Sequence, residues 1–473
     1  MTSWRVGAMA MVAAACLIAG AAAAETPTCR ATGKEGGVEP PLSGLEQAVC
    51  ILERLRVDPQ STARIDDALA RLGRGDTSAA EGEFRLLVDE KKAEGLKVAA
   101  AAALRHLGGM IVQGSPDKAV GIYREAVDLD PGNADGWNRL AALLRRSGDL
   151  PGTKAALVRV LAIGETAGDR QAIAIASGNL GVVHELQGEM TEAETHYRKA
   201  LALNEELDRK DGMANQYHAL GLILKSRGDI DGAETHFRKA LALNEALGRK
   251  KALADTCAVL GRLRQSRGDL DGAEELFRKA LPIDEALGRK EAMADASTGL
   301  GLIRQARGDK SGAEEWYKKA LALEEGLGRK PGIATLRASL GLILKSRGDS
   351  AGAEEHFRTS LALNEELGRT EAAALDHANL GLIRKTLGDL DGAEEHFRKA
   401  LTLNETSGRK TGMADQYGNL GFLFKKRGNT AEACRNWSKA LDLFRQAGAT
   451  AMVAKVTEAM DEVTCAPPEG AAK

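Results

Sequence analysis

Residues 212–248 read GMANQYHALGLILKSRGDIDGAETHFRKALALNEALG, and the pattern of this stretch decides the fold. Its first half places Tyr217, Leu220 and Ile223 at helical spacing, until Gly228 interrupts the pattern. The second half carries a second apolar stripe, made of Ala233, Phe237, Ala240, Leu241 and Leu247. Gly248 predicts a left-handed cap at the end of the second helix. The stretch therefore predicts a pair of helices joined by a short turn.

The same pattern recurs along the chain with a fixed period. A Leu-Gly dipeptide repeats every 40 residues, at Leu180, Leu220, Leu260, Leu300, Leu340, Leu380 and Leu420. A period between 20 and 50 residues indicates stacked structural units. Each glycine of the dipeptide lies inside a predicted helix, where it costs about 1 kcal/mol relative to alanine. Its recurrence therefore indicates close approach by the partner helix, and Ala233 and Ala240 are the residues that we expect to face Gly221.

These residues resemble a known repeat family. Leu220-Gly221, followed by Gly228, Ala233, Phe237 and Ala240, is similar in order and spacing to the tetratricopeptide repeat. The usual repeat is shorter and ends with proline, whereas Glu245 stands at that place here. The longer unit is similar to the Pins/LGN type, which also shows NLG in the first helix. The resemblance implies an all-α fold, a superhelical solenoid of antiparallel helix pairs.

The period divides the chain into segments. Residues 171–448 are predicted to hold seven 40-residue units, and residues 62–170 hold more degenerate ones, for example around Leu107-Gly108. Residues 25–61 are predicted to form a linker and a short helix. A solenoid leaves its last apolar face bare, so we expect a capping helix and a loose tail in residues 449–473.

The first 24 residues have the layout of a secretory signal peptide. Arg5 precedes an apolar stretch, and small residues lead up to Glu25. We expect cleavage after Ala24 and export to the periplasm or beyond, with no membrane span in the remaining chain.

Export would place the cysteines where disulfides can form. Cys434 and Cys465 flank the turn that precedes the capping helix, and two antiparallel helices would bring them together, so we predict a disulfide between them. We also predict a pair between Cys29 and Cys50. Cys257 occupies the aromatic position of a first helix and is expected to be buried and free.

Composition and motifs exclude several classes of function. The 65 basic and 67 acidic residues nearly balance, which argues against nucleic acid as a partner. The histidines at one repeat position have no ligand partner at metal-binding spacing, so we predict no metal site at His196, His236, His356 and His396. No catalytic motif has the strand context it needs, and we predict a protein without cofactor or enzymatic activity.

Polar side chains recur on the first helix of the units. One position holds Lys225, Lys345, Lys385 and Lys425, with Gln265 and Gln305 in the units between, and the NLG asparagine is present as Asn179, Asn379 and Asn419. The family resemblance implies that first helices line a concave groove and that these residues contact a bound segment. The competing interpretation is that the lysines only stabilise helix C-termini through the macrodipole.

The leading hypothesis is thus a non-catalytic scaffold that binds a protein or an extended peptide in its groove. The lysines favour an acidic segment or one ending in a carboxylate. Two alternatives stay open: an enzyme or enzyme subunit with its site in residues 25–130, where His106 is the single histidine, and a structural component of an envelope assembly. Near-identical units also leave self-association open.

Overall fold

The computed structural model describes residues 77–112 and 114–465, together with residues 67 and 71. The described residues form α-helices and no strand. In chain order the helices are α1 Thr77–Ala93, α2 Lys97–Ile111, α3 Pro116–Leu129, α4 Ala134–Arg146, α5 Leu150–Ala167, α6 Arg170–Leu186, α7 Met190–Glu206, α8 Lys210–Ser226, α9 Ile230–Ala246, α10 Lys250–Ser266, α11 Leu270–Ala286, α12 Lys290–Ala306, α13 Lys310–Leu327, α14 Lys330–Ser346, α15 Ser350–Glu366, α16 Thr370–Thr386, α17 Leu390–Thr406, α18 Lys410–Lys426, α19 Thr430–Gln446 and α20 Thr450–Glu462.

The helices pack as antiparallel pairs in sequence order, from α2 with α3 to α18 with α19. This is the all-α array of helix pairs that the sequence predicts. The chain separates into two compact units, with the division between Leu243 and Asn244 inside α9. The predicted signal peptide, the linker, Cys29 and Cys50 lie outside the described residues.

Eight of the nine pairs from α2–α3 to α18–α19 are held together by an aromatic ring packed on a glycine, whereas the pair of α4 and α5 has Ala141 and Leu157 at these positions. A methyl group on Gly221 would lie 2.7 Å from Cε1 of Phe237, a fully buried ring. The same contact joins Gly108 to Tyr123, Gly181 to Tyr197, Gly261 to Phe277, Gly301 to Tyr317, Gly341 to Phe357, Gly381 to Phe397 and Gly421 to Trp437. The close approach to Gly221 is thus made by the ring, and not by Ala233 and Ala240, the residues expected from the sequence. Both alanines are buried elsewhere in the core.

The turns have the predicted caps, but one residue beside a turn, Leu247, is not buried as predicted. Gly228 and Gly248 adopt φ of +83° and +62°, the left-handed region that favours glycine. Asp229 caps the second helix, since its Oδ1 accepts the N–H of Gly232 at 2.9 Å. Leu247 was expected on the buried stripe, but it is 40% exposed. It follows Ala246, the last residue of α9, so the turn directs it away from the core.

Charged side chains tie each pair to the next. Glu194 of α7 accepts from Arg198 on its own helix and from Arg227 at the end of α8. Burial raises the pKa of Glu194, but the hydrogen bonds from both arginines outweigh it and hold the pKa below its ordinary value. The same arrangement recurs around Glu274, Glu314 and Glu394. Partly exposed pairs of this kind are each worth about 0.2–1 kcal/mol.

A buried polar side chain recurs near the end of six successive second helices, from α7 to α17. Six residues spaced 40 apart are at most 3% exposed, namely Asn204, Asn244, Asp284, Glu324, Asn364 and Asn404. A buried polar group is unfavourable unless it is hydrogen-bonded. Asp284 and Glu324 are each paired with the arginine five residues later, at 3.0 Å in both cases.

The repeat around Asn364 holds a buried acid. The carboxylate oxygen Oδ2 of Asp376 accepts from Ser360 Oγ at 2.7 Å and from Asn364 Nδ2 at 2.8 Å. Burial raises the pKa of Asp376 to about 6, although the hydrogen bonds from Ser360 and Asn364 act in the opposite direction. Ser360 replaces the alanine that stands at 200, 240, 280, 320, 400 and 440. This acid distinguishes one repeat from the others.

The C-terminal helix α20 covers the last pair. Val456 and Met460 are 1% and 7% exposed and pack into the core that α18 and α19 form. Cys434 of α19 and Cys465 are joined in a disulfide, with Cα atoms 5.6 Å apart and a sequence separation of 31. Cys257 is buried and free, as expected, and burial raises the pKa of its thiol to about 11.

Gly381→Ala tests the contact between glycine and ring. The new methyl group would lie 2.6 Å from Phe397 Cε1, so this substitution should lower the free energy of unfolding by about 1–3 kcal/mol despite the better helix propensity. The control is Gly326→Ala in α13, where no atom lies within 4 Å and a gain of up to about 1 kcal/mol is expected. Urea denaturation measures both. Equal effects of the two substitutions would contradict the contact.

Asp376→Asn tests the buried acid. The folded protein binds the proton of Asp376 more tightly than the unfolded chain, so its contribution to stability is lost as pH rises through about 6. The amide oxygen keeps both hydrogen bonds without the charge. Asp376→Asn should therefore raise the free energy of unfolding at pH 7.5 by about 1–3 kcal/mol, and the gain should shrink toward pH 4.5.

Urea denaturation at both pH values measures this gain against the wild-type protein. The matched control, Glu315→Gln, removes an exposed acid and should change stability by less than about 0.5 kcal/mol at either pH. A gain for Asp376→Asn that is the same at pH 7.5 and 4.5 would show that the acid is not neutral in the folded protein.

Candidate functional site

The first of the two compact units, which ends at Leu243, contains a depression of about 290 Å³. It lies between α6 and α8, which are the first helices of their pairs, and above the second helix α7. We call it the amide groove. Its lining includes Gly178 and Asn179 of α6, Asn204 of α7, and Gly212, Gln216 and Ala219 of α8. One of the predicted binding residues, Asn179, therefore lies in a depression. Its Nδ2 donates to Asn138 Oδ1 at 3.2 Å.

Two buried acceptors in the amide groove lack a donor. Asn204 is 2% exposed and Gln216 is 8% exposed, and neither Asn204 Oδ1 nor Gln216 Oε1 has a hydrogen-bond partner. The Nδ2 group of Asn204 is used, since it donates to the Ala200 carbonyl at 2.7 Å. A buried acceptor without a donor is unfavourable by about 1–3 kcal/mol. Both oxygens therefore have unused capacity to accept a hydrogen bond.

Two glycines make room for these amides. A methyl group on Gly178 would lie 2.7 Å from Gln216 Nε2, so the glycine lets the Gln216 side chain extend from α8 to α6. A methyl group on Gly212 would overlap the Asn204 amide. The backbone beside both amides is therefore free of side chains that would fill the groove.

The second compact unit has the same three residues, but there the glutamine oxygen has a donor, whereas Asn404 Oδ1 lacks one as Asn204 Oδ1 does. Asn404, Gly412 and Gln416 stand 200 residues after Asn204, Gly212 and Gln216. There, Asn419 Nδ2 donates to Gln416 Oε1 at 3.3 Å. The first unit has Ala219 in place of Asn419, so it cannot supply this donor. The open acceptor at Gln216 follows from one residue difference.

The predicted row of lysines and glutamines is largely engaged within the protein. Lys345 Nζ donates to Asn379 Oδ1 at 2.5 Å, and Lys425 is paired with Glu462. Among the glutamines, Gln265 Nε2 donates to the Gly299 carbonyl at 3.4 Å, and Gln305 Oε1 accepts from Tyr317 at 2.6 Å. These contacts link neighbouring helices to each other.

Two lysines of the row differ from the others. Lys225 is exposed at the end of α8, and its ammonium has no partner in the described part of the chain. Lys385 is half-buried, and none of the described residues offers an acceptor to its ammonium. Burial, followed by the charges of Lys426 and Lys455, lowers the pKa of Lys385.

Sequence reasoning missed Asn204 and Gln216. Both occupy positions that face inward, where a polar residue is unusual, and Asn204 belongs to a register that is polar in six successive units. A polar residue that recurs every 40 residues on an otherwise apolar stripe was the sequence signal that pointed to the position of Asn204.

Metal and membrane features are absent from the described residues. No three His, Cys, Asp or Glu side chains in residues 77–112 and 114–465 are grouped to hold a metal ion. The four histidines at the repeated position are half-buried. At His106, which is not one of them, burial and then the charge of Arg105 lower the pKa to about 4. No helix in the described part of the chain combines the length and apolar composition that a bilayer crossing needs.

Comparison with known proteins agrees with the geometry. The family model described as the MalT-like TPR region matches residues 165–327, and two tetratricopeptide repeat models match residues 332–406 and residues 65–134 and 111–157. No curated protein matches the chain in sequence.

Two solved structures share the fold. One is a Signal Transduction ATPase with Numerous Domains from Pyrococcus horikoshii with a tetratricopeptide repeat sensor; it is 13% identical, with 75% of this chain and 55% of that chain covered and a TM-score of 0.56. The other is the apo form of the quorum sensor NprR from B. thuringiensis, 14% identical, with 75% and 99% covered and a TM-score of 0.51. Together with the family models, the helix pairs show that this chain belongs to the tetratricopeptide repeat family.

Proposed function

We propose that the protein is a non-catalytic interaction scaffold that binds an extended peptide segment in the amide groove. The observation that carries this proposal is the pair of buried, unpartnered acceptors, Asn204 Oδ1 and Gln216 Oε1. The backbone N–H groups of an extended peptide are donors of the required kind, and they are spaced regularly along the segment. Such contacts bind a peptide through its backbone, so they accept many sequences.

The lining suggests which side chains the peptide carries. Ile175 and Val182 of α6 offer apolar contacts, whereas Arg209 and Asp211 at the start of α8 offer both charges. Arg209 and Asp211 also pair with each other at 3.3 Å. The groove thus favours a segment with small apolar side chains over a strongly acidic one. The acidic preference expected from the lysine row is not a property of this groove.

The alternatives make different demands. An enzyme would need a nucleophile and a base in reach of each other, and the groove lining contains neither a histidine nor a cysteine. A structural component of an envelope assembly would use broad surfaces and not a depression with open acceptors. The groove therefore favours a binding scaffold over an assembly component and over an enzyme whose site is the groove itself.

Ala219→Asn tests the groove. This substitution places at 219 the asparagine that satisfies Gln216's counterpart in the second unit, and it should close the open acceptor. Peptides selected from a random display library on the wild-type protein should bind the variant at least about tenfold more weakly, a loss of about 1.4 kcal/mol.

The matched control is Ser339→Asn, which makes the same NLG motif in a unit where the residue corresponding to Gln216 is Leu336. It should leave the affinity of the selected peptides unchanged. Selected peptides that bind wild-type protein and Ala219→Asn equally, while circular dichroism shows both folded, would exclude the amide groove as the binding surface.

We also propose that the protein is exported and that its disulfide forms after export. The signal-peptide layout of residues 1–24 and the Cys434–Cys465 pair support this. Expression of the full sequence in a secreting host should give a mature chain that begins at Glu25. Non-reducing peptide mapping should find Cys434 linked to Cys465 and Cys257 as a free thiol. An intact residue 1 or a free Cys434 would contradict this proposal.

A further inference from the structure

Three lysines gather where the last two first helices meet the C-terminal helix. Lys385 lies in the last turn of α16, Lys426 is the last residue of α18, and Lys455 is exposed on α20. Lys426 Nζ donates to the Lys385 carbonyl at 3.0 Å. Lys455 Nζ lies 5.8 Å from the centre of the Phe422 ring on α18. We call this group the lysine cluster.

Within the lysine cluster, Lys385 lacks the compensation that the lysines at the same position of neighbouring repeats have. One repeat earlier, Lys345 donates to Asn379, and one repeat later, Lys425 is paired with Glu462. Lys385 stands at the same position, yet its ammonium has neither an acid nor an amide among the described residues. The groups that lower the pKa of Lys385, after burial itself, are the two other cations of the cluster.

Lys385 is half-buried, whereas Lys426 and Lys455 are exposed. Like charges held near a half-buried ammonium are unfavourable, and an anion placed among them relieves the repulsion. Three ammonium groups offer several N–H donors to the oxygens of an anion. The Phe422 ring, half-buried beside Lys455, adds an apolar wall that suits the methylene groups of an acidic side chain.

We propose that Lys385, Lys426 and Lys455 form an oxyanion site that receives carboxylates of an acidic polypeptide segment. The site lies within the second unit and does not depend on the amide groove of the first unit. It gives the C-terminal helix a role in binding, because α20 supplies one of the three cations in addition to covering the core.

Isothermal titration of the full chain at low ionic strength tests the site. The probes are a capped triglutamate peptide and its triglutamine counterpart. Triglutamate should bind saturably and triglutamine should not. Lys385→Gln and Lys455→Gln should each weaken triglutamate binding about tenfold, and added salt should weaken it further.

Two variants serve as controls. Lys439→Gln removes a lysine that lies 5.1 Å from the Tyr417 ring on the same unit, and Lys385→Arg keeps the charge of the cluster. Both should bind triglutamate within about twofold of wild type, and thermal melts should show every variant folded.

The proposal is overturned if triglutamate shows no saturable binding, or if Lys455→Gln binds it as well as Lys439→Gln does. Inorganic phosphate, titrated in parallel, separates the two sources of oxyanion. Weaker binding of phosphate than of triglutamate supports a polypeptide carboxylate as the ligand. Tighter binding of phosphate would overturn that assignment and identify a site for free phosphate.

Discussion

The packing of one aromatic ring on one glycine sets the geometry of eight of the nine helix pairs. Because a glycine has no Cβ, the ring of Phe237 lies directly on the backbone at Gly221, and this contact fixes the distance between the two helices. The rest of the pair's core is supplied mainly by alanine, leucine and isoleucine. A chain with only 4% aromatic residues can therefore hold these pairs in one arrangement, since each of the eight needs a single ring.

That shared geometry also creates the places where the repeats differ. It leaves an inward-facing polar residue near the end of six second helices, and the surroundings of that residue differ from repeat to repeat. An arginine pairs with Asp284, and a buried acid accepts from Asn364 Nδ2. The Oδ1 atom of Asn204 stays open, as do those of Asn244, Asn364 and Asn404. The core positions are uniform because they hold the fold, whereas the polar register varies from repeat to repeat, and the amide groove arises from that variation.

The period and the glycines were sufficient to predict the helix pairs, their caps and the family, because these depend on local spacing. The partners of polar side chains were beyond sequence reasoning. Lys345 and Asn379 are 34 residues apart, and periodicity places both on first helices without showing that they bond to each other. Lys455 was missed for the same reason, since only packing of α20 brings it near Lys385. Leu247 was misplaced because the helical period was extended beyond the last helical residue.

The location of the ring and glycine contact has a consequence for how the gene can change. Both residues belong to the same 40-residue unit, so the contact is complete within one cassette of coding sequence. The ion pairs between units, such as Glu394 with Arg427, join the same two positions wherever they recur. Unequal recombination between such similar cassettes would add or remove a whole pair and restore equivalent junctions. The array can thus become longer or shorter by whole helix pairs without the need for a new kind of core.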